Sequence, residues 1–368
     1  MRYAFFTNTP AHVHLYKHAV RRLEADGHEV LVLGREYGCT KSLLTYYGLP
    51  YEIYGKVETN KYSLVRELPS HYATILRRIR KFDPDLIFGM GGYAAHAGAV
   101  SRTPVVLILD SEPTSFDHFV SRPFADLMMT PYTFGKDLGP KHYRFDGFKE
   151  TAYLHPDVYE PNPTVREHLG VEPDEPFAIV RFNAFGSHHD VGHKGFPPAH
   201  RIELIERLSD HVTVFVTDEG EDVNLDDLPA RPYDIHPALL HDALAEARVF
   251  VADTQTMVTE AALLGTPAIR SNSFVGENDM GNFVELERQG LIRNLSEFDD
   301  VVATAVRFAS DPRIEQQWLT RRNEYVETLV NLTDLIVDVA TDMSTLGYVK
   351  RPSEDERLSD ETTAGIEA

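Results

Sequence analysis

Asp85-Leu86-Ile87-Phe88 runs directly into Gly89-Met90-Gly91-Gly92-Tyr93-Ala94-Ala95-His96, and the apolar run Pro104-Val105-Val106-Leu107-Ile108-Leu109 follows. Strand, glycine-rich loop, helix and second apolar strand are the repeating unit of a parallel sheet with covered faces. The alternation extends outward in both directions. Upstream, residues 2–7, 29–33 and 51–54 read as strands, 15–25 as a helix with Leu15, Ala19, Val20 and Leu23 on one face, and 64–81 as a basic helix. Downstream, the composition turns proline-rich and acidic between Lys149 and Pro176, as a connection between domains does. Strands are then predicted at 177–181, 212–217 and 249–252, and helices at 198–208, 237–247, 257–264, 298–309 and 314–345.

The fold class expected is α/β, with two Rossmann-like doubly wound domains facing across a cleft. The boundaries predicted are 1–150 for the first domain, 151–175 for the linker, 176–347 for the second domain and 348–368 for an acidic disordered tail. In open α/β sheets ligands sit beyond the carboxyl ends of strands, so the informative residues belong in the loops that follow them.

Composition narrows the function classes. The 368 residues are 42% hydrophobic and carry 57 acidic against 36 basic side chains, a formal charge of −21. The charge is unevenly distributed: residues 1–150 carry 19 Lys and Arg against 16 Asp and Glu, whereas 151–368 carry 17 against 41. Only Lys194 and Lys350 follow Lys149. Nucleic-acid binding by phosphate neutralisation is disfavoured by such a surface, and adaptation to a high-salt (halophilic) cytoplasm is expected. No apolar stretch approaches the roughly 20 residues of a membrane-spanning helix. The first residues lack a secretory pattern and the one cysteine, Cys39, cannot form an internal disulfide, so a cytoplasmic location is expected.

Four loops can carry chemistry. Asn8-Thr9-Pro10-Ala11-His12-Val13-His14 follows the first strand, and a histidine at a helix start can act as a base near neutral pH. The alternatives are that His12, His14 and His18 merely cover the helix, or that HVHLYKH binds a metal; no carboxylate stands at a supporting spacing, and no metal site is assigned. Gly89 to Tyr93 permits close approach of backbone to a phosphate or sugar, or forms a tight structural turn. Arg181-Phe182-Asn183-Ala184-Phe185-Gly186-Ser187-His188-His189-Asp190 is dense in donors for phosphate, or is a polar surface loop. Asp253-Thr254-Gln255-Thr256-Met257-Val258-Thr259-Glu260 opens a helix with small hydroxyl residues suited to a diphosphate, with Glu260 placed to accept two ribose hydroxyls or left solvated.

At these loops the chain resembles the GT-B glycosyltransferase superfamily, and in particular the lipid-linked N-acetylglucosaminyltransferases of peptidoglycan synthesis. His12 stands before Gly27-His28-Glu29-Val30 as the family's first-loop histidine does, Gly89 to Tyr93 matches its Gly-Met-Gly-Gly-Tyr loop, and Glu260 with Gly265-Thr266-Pro267 matches its later helix. Asp279-Met280-Gly281-Asn282 is a partial match to its Gln/Asn segment. The Asp253 to Ala262 segment is also similar to a motif of the non-hydrolysing UDP-N-acetylglucosamine 2-epimerases. Over residues 1–345 the chain most resembles domain of unknown function family 354, which is related to both.

The resemblance implies a metal-independent transferase that takes a sugar from a UDP- or GDP-sugar to a hydroxyl or phosphate acceptor, lipid-linked in one version, with no bound cofactor. On this reading the second domain binds the nucleotide sugar through Arg181, Asn183, Ser187, Asp253, Thr254, Gln255, Thr256 and Glu260. The first presents the acceptor at Gly91, Gly92 and Tyr93, with His12 as catalytic base. Epimerisation or hydrolysis of a nucleotide sugar is the alternative reaction, and a non-catalytic sugar-nucleotide binding protein the alternative class. Arg77, Arg78, Arg80 and Lys81 offer a contact for anionic lipid at a membrane surface, or form a solvated helix face.

Overall fold

The computed structural model describes residues 1–57, 61–183, 195–218, 220, 223–273, 275–276, 279–342 and 349–352. Ser187, His188, His189 and Asp190 of the second donor-rich loop lie outside these residues, as do 353–368 of the expected tail. The chain divides into two compact units, Met1–Val158 with Leu329–Ala368, and Tyr159–Thr328.

Unit 1 contains strands β1 (Arg2–Thr7), β2 (Glu29–Glu36), β3 (Tyr51–Lys56), β4 (Leu86–Gly89), β5 (Val105–Ile108), β6 (Leu127–Pro131) and β7 (His142–Phe145). Unit 2 contains β8 (Phe177–Phe182), β9 (Thr213–Asp218), β10 (Arg231–Pro232), β11 (Val249–Ala252), β12 (Ala268–Arg270) and β13 (Ile292–Asn294); β14 (Val349–Lys350) returns to unit 1. The unit 1 sheet has the order β14-β7-β6-β5-β4-β1-β2-β3 and the unit 2 sheet β10-β9-β8-β11-β12-β13. Among the described residues every pairing is parallel except β14 with β7. Both units are Rossmann-like and doubly wound, as expected.

Burial explains why the apolar runs became strands. Every residue of β4, β5, β11 and β12 is buried, the signature of parallel strands covered on both faces. Phe5 of β1 and Phe88 of β4 are direct partners in the ladder and their rings stack with centroids 4.9 Å apart. Each sheet reverses its winding at one point, between β1 and β4 in unit 1 and between β8 and β11 in unit 2. The loops leaving these four strands are the four singled out in the sequence, at the position where open α/β sheets hold ligands.

The structure redraws three boundaries. The helix expected at 314–345 is two helices, Arg313–Val326 and Leu332–Thr341. The second belongs to unit 1, where Leu332, Leu335, Ile336 and Val339 are buried, the Thr333 hydroxyl donates to Ala152 O at 2.7 Å and the Tyr3 hydroxyl donates to Ala340 O at 2.9 Å. The start of the expected linker also lies in unit 1, because Ala152, Tyr153 and Leu154 are apolar enough to be buried there. In the expected tail, Val349 and Lys350 pair with Phe145 and Arg144 as a short antiparallel edge strand.

Candidate functional site

At the unit 1 switch point the first helix is Pro10–Ala25, so His12 stands in its first turn and not in a preceding loop. Pro10 at the first helical position explains the early start: its fixed φ suits a helix and its missing N–H would have no intrahelical partner. Asn8, just beyond β1, organises the neighbourhood. Its N–H donates to His12 Nδ1 at 3.2 Å, its carbonyl accepts from Arg35 Nε at 3.1 Å, and its side-chain oxygen accepts the Tyr54 hydroxyl at 2.8 Å. The loops after β5 and β7 add an ion pair between the partly buried Asp110 and the buried Lys149, with Glu150 3.5 Å from the same ammonium.

These neighbours set the charge state. Burial, assisted by the positive charges of Lys149 and Arg35 and opposed by Asp110, lowers the His12 pKa to about 3, so the imidazole is neutral at physiological pH. Burial pushes the Asp110 carboxyl upward, but the Lys149 ammonium outweighs it and holds the group below the usual carboxylate range. Because Nδ1 accepts a backbone N–H, the neutral ring carries its proton on Nε2. The base expected at position 12 therefore presents a donor.

The glycine loop does not present all three of its expected contacts. A side chain at Gly91 would meet the Asp117 carboxylate, whose Oδ1 accepts the Gly92 N–H at 3.2 Å. Tyr93 is only 8% exposed, and its hydroxyl is 2.8 Å from His71 Nδ1. Its ring packs in the core beneath the loop, which corrects its assignment as an acceptor contact. Of the basic helix residues, Arg78 pairs with Glu52 at 2.6 Å, while Arg77, Arg80 and Lys81 are exposed.

At the unit 2 switch point the loops after β8 and β11 are joined through Asp253. Its Oδ1 accepts the Asn183 N–H at 2.7 Å and its Oδ2 the Phe196 N–H at 3.2 Å. Arg201 grips the same two residues through their carbonyls and forms an ion pair with Asp218 at 2.9 Å. Asp253 is 1% exposed, and burial raises its pKa to about 6 against the pull of the two N–H bonds and of Arg201. Both oxygens face its own chain, so Asp253 fastens loop ends instead of reaching toward a nucleotide. Arg181 Nη1 donates to the Thr217 hydroxyl at 3.1 Å.

The helix Thr256–Leu264 starts beside this clamp, with Gln255 as its N-cap, no side-chain cap bond among the described residues and no acidic residue in its first turn. The Thr254 hydroxyl oxygen is buried and has no hydrogen-bond partner among the described residues. Glu260 is 3% exposed, and its Oε1 lies 3.1 Å from His241 Nε2, which excludes the solvated alternative. Thr254, Gln255 and Thr256 thus share one carboxyl edge with Arg181 and Asn183, while Glu260 sits a helical turn deeper. Sequence reasoning missed Arg35, Asp110, Lys149, Arg201 and His241. The one local signal was a charged residue closing an apolar run, as Asp110 does after Pro104 to Leu109.

The family model described as protein of unknown function, DUF354, matches residues 3–344. The chain belongs to the DUF354 family. Two curated relatives of this DUF354 chain differ in reach. The uncharacterized protein MJ0665 of Methanocaldococcus jannaschii is 23% identical over 280 residues, covering 72% of the chain and 79% of the relative. The UDP-N-acetylglucosamine--N-acetylmuramyl-(pentapeptide) pyrophosphoryl-undecaprenol N-acetylglucosamine transferase of Tolumonas auensis is 35% identical over 112 residues, 27% of the chain and 31% of that enzyme. Among solved structures, UDP-GlcNAc 2-epimerase from Neisseria meningitidis bound to UDP-GlcNAc superposes with a TM-score of 0.65 at 12% identity, covering 93% of this chain and all of that one. Glycosyltransferase VinC in complex with dTDP gives 0.60 at 14% identity, covering 93% and 99%. The DUF354 chain shares the GT-B type of two-unit Rossmann-like fold with both.

Proposed function

We propose that this DUF354 protein is a glycosyltransferase that moves a sugar from a UDP- or GDP-sugar to an oxygen acceptor. The observation that carries the reading is the unit 2 edge. There, among the described residues, a helix N-terminus without a side-chain cap, an unpartnered Thr254 hydroxyl and the buried Glu260 follow one strand, next to Arg181 of the neighbouring strand and Asn183 just after it. Backbone N–H groups at a helix start suit a diphosphate, and a carboxylate suits paired ribose hydroxyls. Donor binding is assigned to unit 2 and acceptor binding to the His12 edge of unit 1. The local identity to the Tolumonas auensis transferase supports transfer, with a lipid-linked acceptor approached through Arg77, Arg80 and Lys81 as its membrane version.

Epimerisation is the second reading, and the superposition on the Neisseria enzyme is the observation in its favour. Incubation with UDP- and GDP-sugars, with and without acceptor, separates the two. Transfer releases nucleoside diphosphate only with acceptor present, whereas epimerisation or hydrolysis alters the sugar without it. Binding without turnover supports a non-catalytic sugar-nucleotide binding protein.

A further inference from the structure

A transferred sugar needs an oxygen nucleophile, and the groups around His12 discriminate between kinds of oxygen. A neutral alcohol must lose its proton to a base during the reaction. The His12 Nδ1 lone pair is occupied by the Asn8 N–H, and the charges of Lys149 after β7, Asp110 after β5 and Arg35 of β2 act on the ring. The four carboxylates between β5 and β6 are each engaged: Asp110 by the Lys149 ammonium, Glu112 Oε1 by the Gly135 N–H at 3.3 Å, Asp117 Oδ1 by the Gly92 N–H at 3.2 Å and Asp126 Oδ2 by the Val105 N–H at 2.9 Å. Among the described residues no hydrogen bond engages the Nε2–H of the half-buried His12, which leaves it as a donor for a ligand.

Resting on the transfer reading, we infer that the acceptor is an oxyanion of the phosphate or carboxylate type, held by the Nε2–H of His12 and nucleophilic without deprotonation. Its oxygen forms the new bond to the anomeric carbon of the sugar. The bond from that carbon to the donor's diphosphate oxygen breaks, and the electron pair leaves with the nucleoside diphosphate. No proton changes hands, so a neutral histidine is the useful form. It orients the oxyanion and adds no positive charge that would quench the nucleophile.

The full-length protein is assayed with nucleotide sugar and matched acceptors: undecaprenyl phosphate in vesicles against undecaprenol, glycerol 1-phosphate against glycerol, and acetate. Nucleoside diphosphate release is expected with the anionic member of each pair only; the lipid and soluble arms tell which source of oxyanion is used. His12→Ala should lower turnover about a hundredfold, as loss of one oriented donor does, while His12→Gln, which keeps an N–H, should recover most of it. Use of the alcohols, with His12→Gln as inactive as His12→Ala, overturns the inference. If no acceptor supports turnover, the transfer reading fails by itself. The site is then judged by ¹⁵N spectra of His12 titrated with glycerol 1-phosphate, where a perturbed Nε2–H supports it and a proton on Nδ1 or an unmoved signal overturns it.

Discussion

Asp253 shows how a residue with the right type and position can do a different job from the one its motif suggests. Its carboxylate takes N–H groups from residues 70 and 57 positions away in the chain, and both bonds are invisible in a local motif. Its raised pKa has a consequence for stability. The folded protein favours the protonated form, so stability contributed by this group falls as pH rises from the unfolded value near 3.8 to about 6, and is level above. The span of about two pH units corresponds to about 3 kcal/mol. In urea unfolding followed between pH 4 and pH 7, Asp253→Asn should gain about that much relative to wild type across the interval; a constant difference between the two proteins would show that the carboxylate is not desolvated. His12 teaches the same lesson. Its presence at a switch point was legible, but which nitrogen holds the proton depends on the Asn8 N–H, a bond that the residue types alone do not specify.

The C-terminal helix Leu332–Thr341 marks the limit of legibility at the level of the element. Apolar periodicity through 314–345 continues across the break because both helices bury a face, so pattern alone joins them. The break had a signal in Asn331, whose side chain accepts the Thr333 N–H at 3.0 Å and caps the new helix. Asn331→Ala should cost about 1 kcal/mol of unit 1 stability in thermal or urea unfolding, the usual value of an N-cap. Ending the chain at Thr328 should do far more, since it removes Leu332, Leu335, Ile336 and Val339 from the unit 1 core. Unit 1 amides should lose hydrogen-exchange protection while those of unit 2 keep it; equal loss in both units would contradict the assignment of this helix to unit 1. The strands were easier to read than the helix ends because a parallel strand buried on both faces is a continuous apolar run, whereas helix ends are set by single caps.

Across the whole molecule, the division into units sharpens the charge asymmetry seen in the sequence. Unit 2 carries 31 acidic against 14 basic side chains, and the rest of the chain 26 against 22. Self-repulsion within one unit is screened by salt, the Debye length falling from about 10 Å at 0.1 M to about 3 Å at 1 M. Raising KCl over that range should therefore raise the melting temperature of unit 2 more than that of unit 1 in calorimetry; equal shifts would assign the effect to the whole surface. The two-sheet architecture was legible from alternating apolar and amphipathic segments, and so were the four strand-end loops. The charges around His12 were not, because Arg35 comes from β2 while Asp110 and Lys149 come from the loops after β5 and β7. Transfer from a nucleotide sugar is decided by nucleoside diphosphate release from UDP- and GDP-sugars in the presence and absence of a phosphate acceptor. Release should require the acceptor and yield one glycosylated product; conversion of the sugar at the same rate without acceptor would mean that the protein is not a transferase.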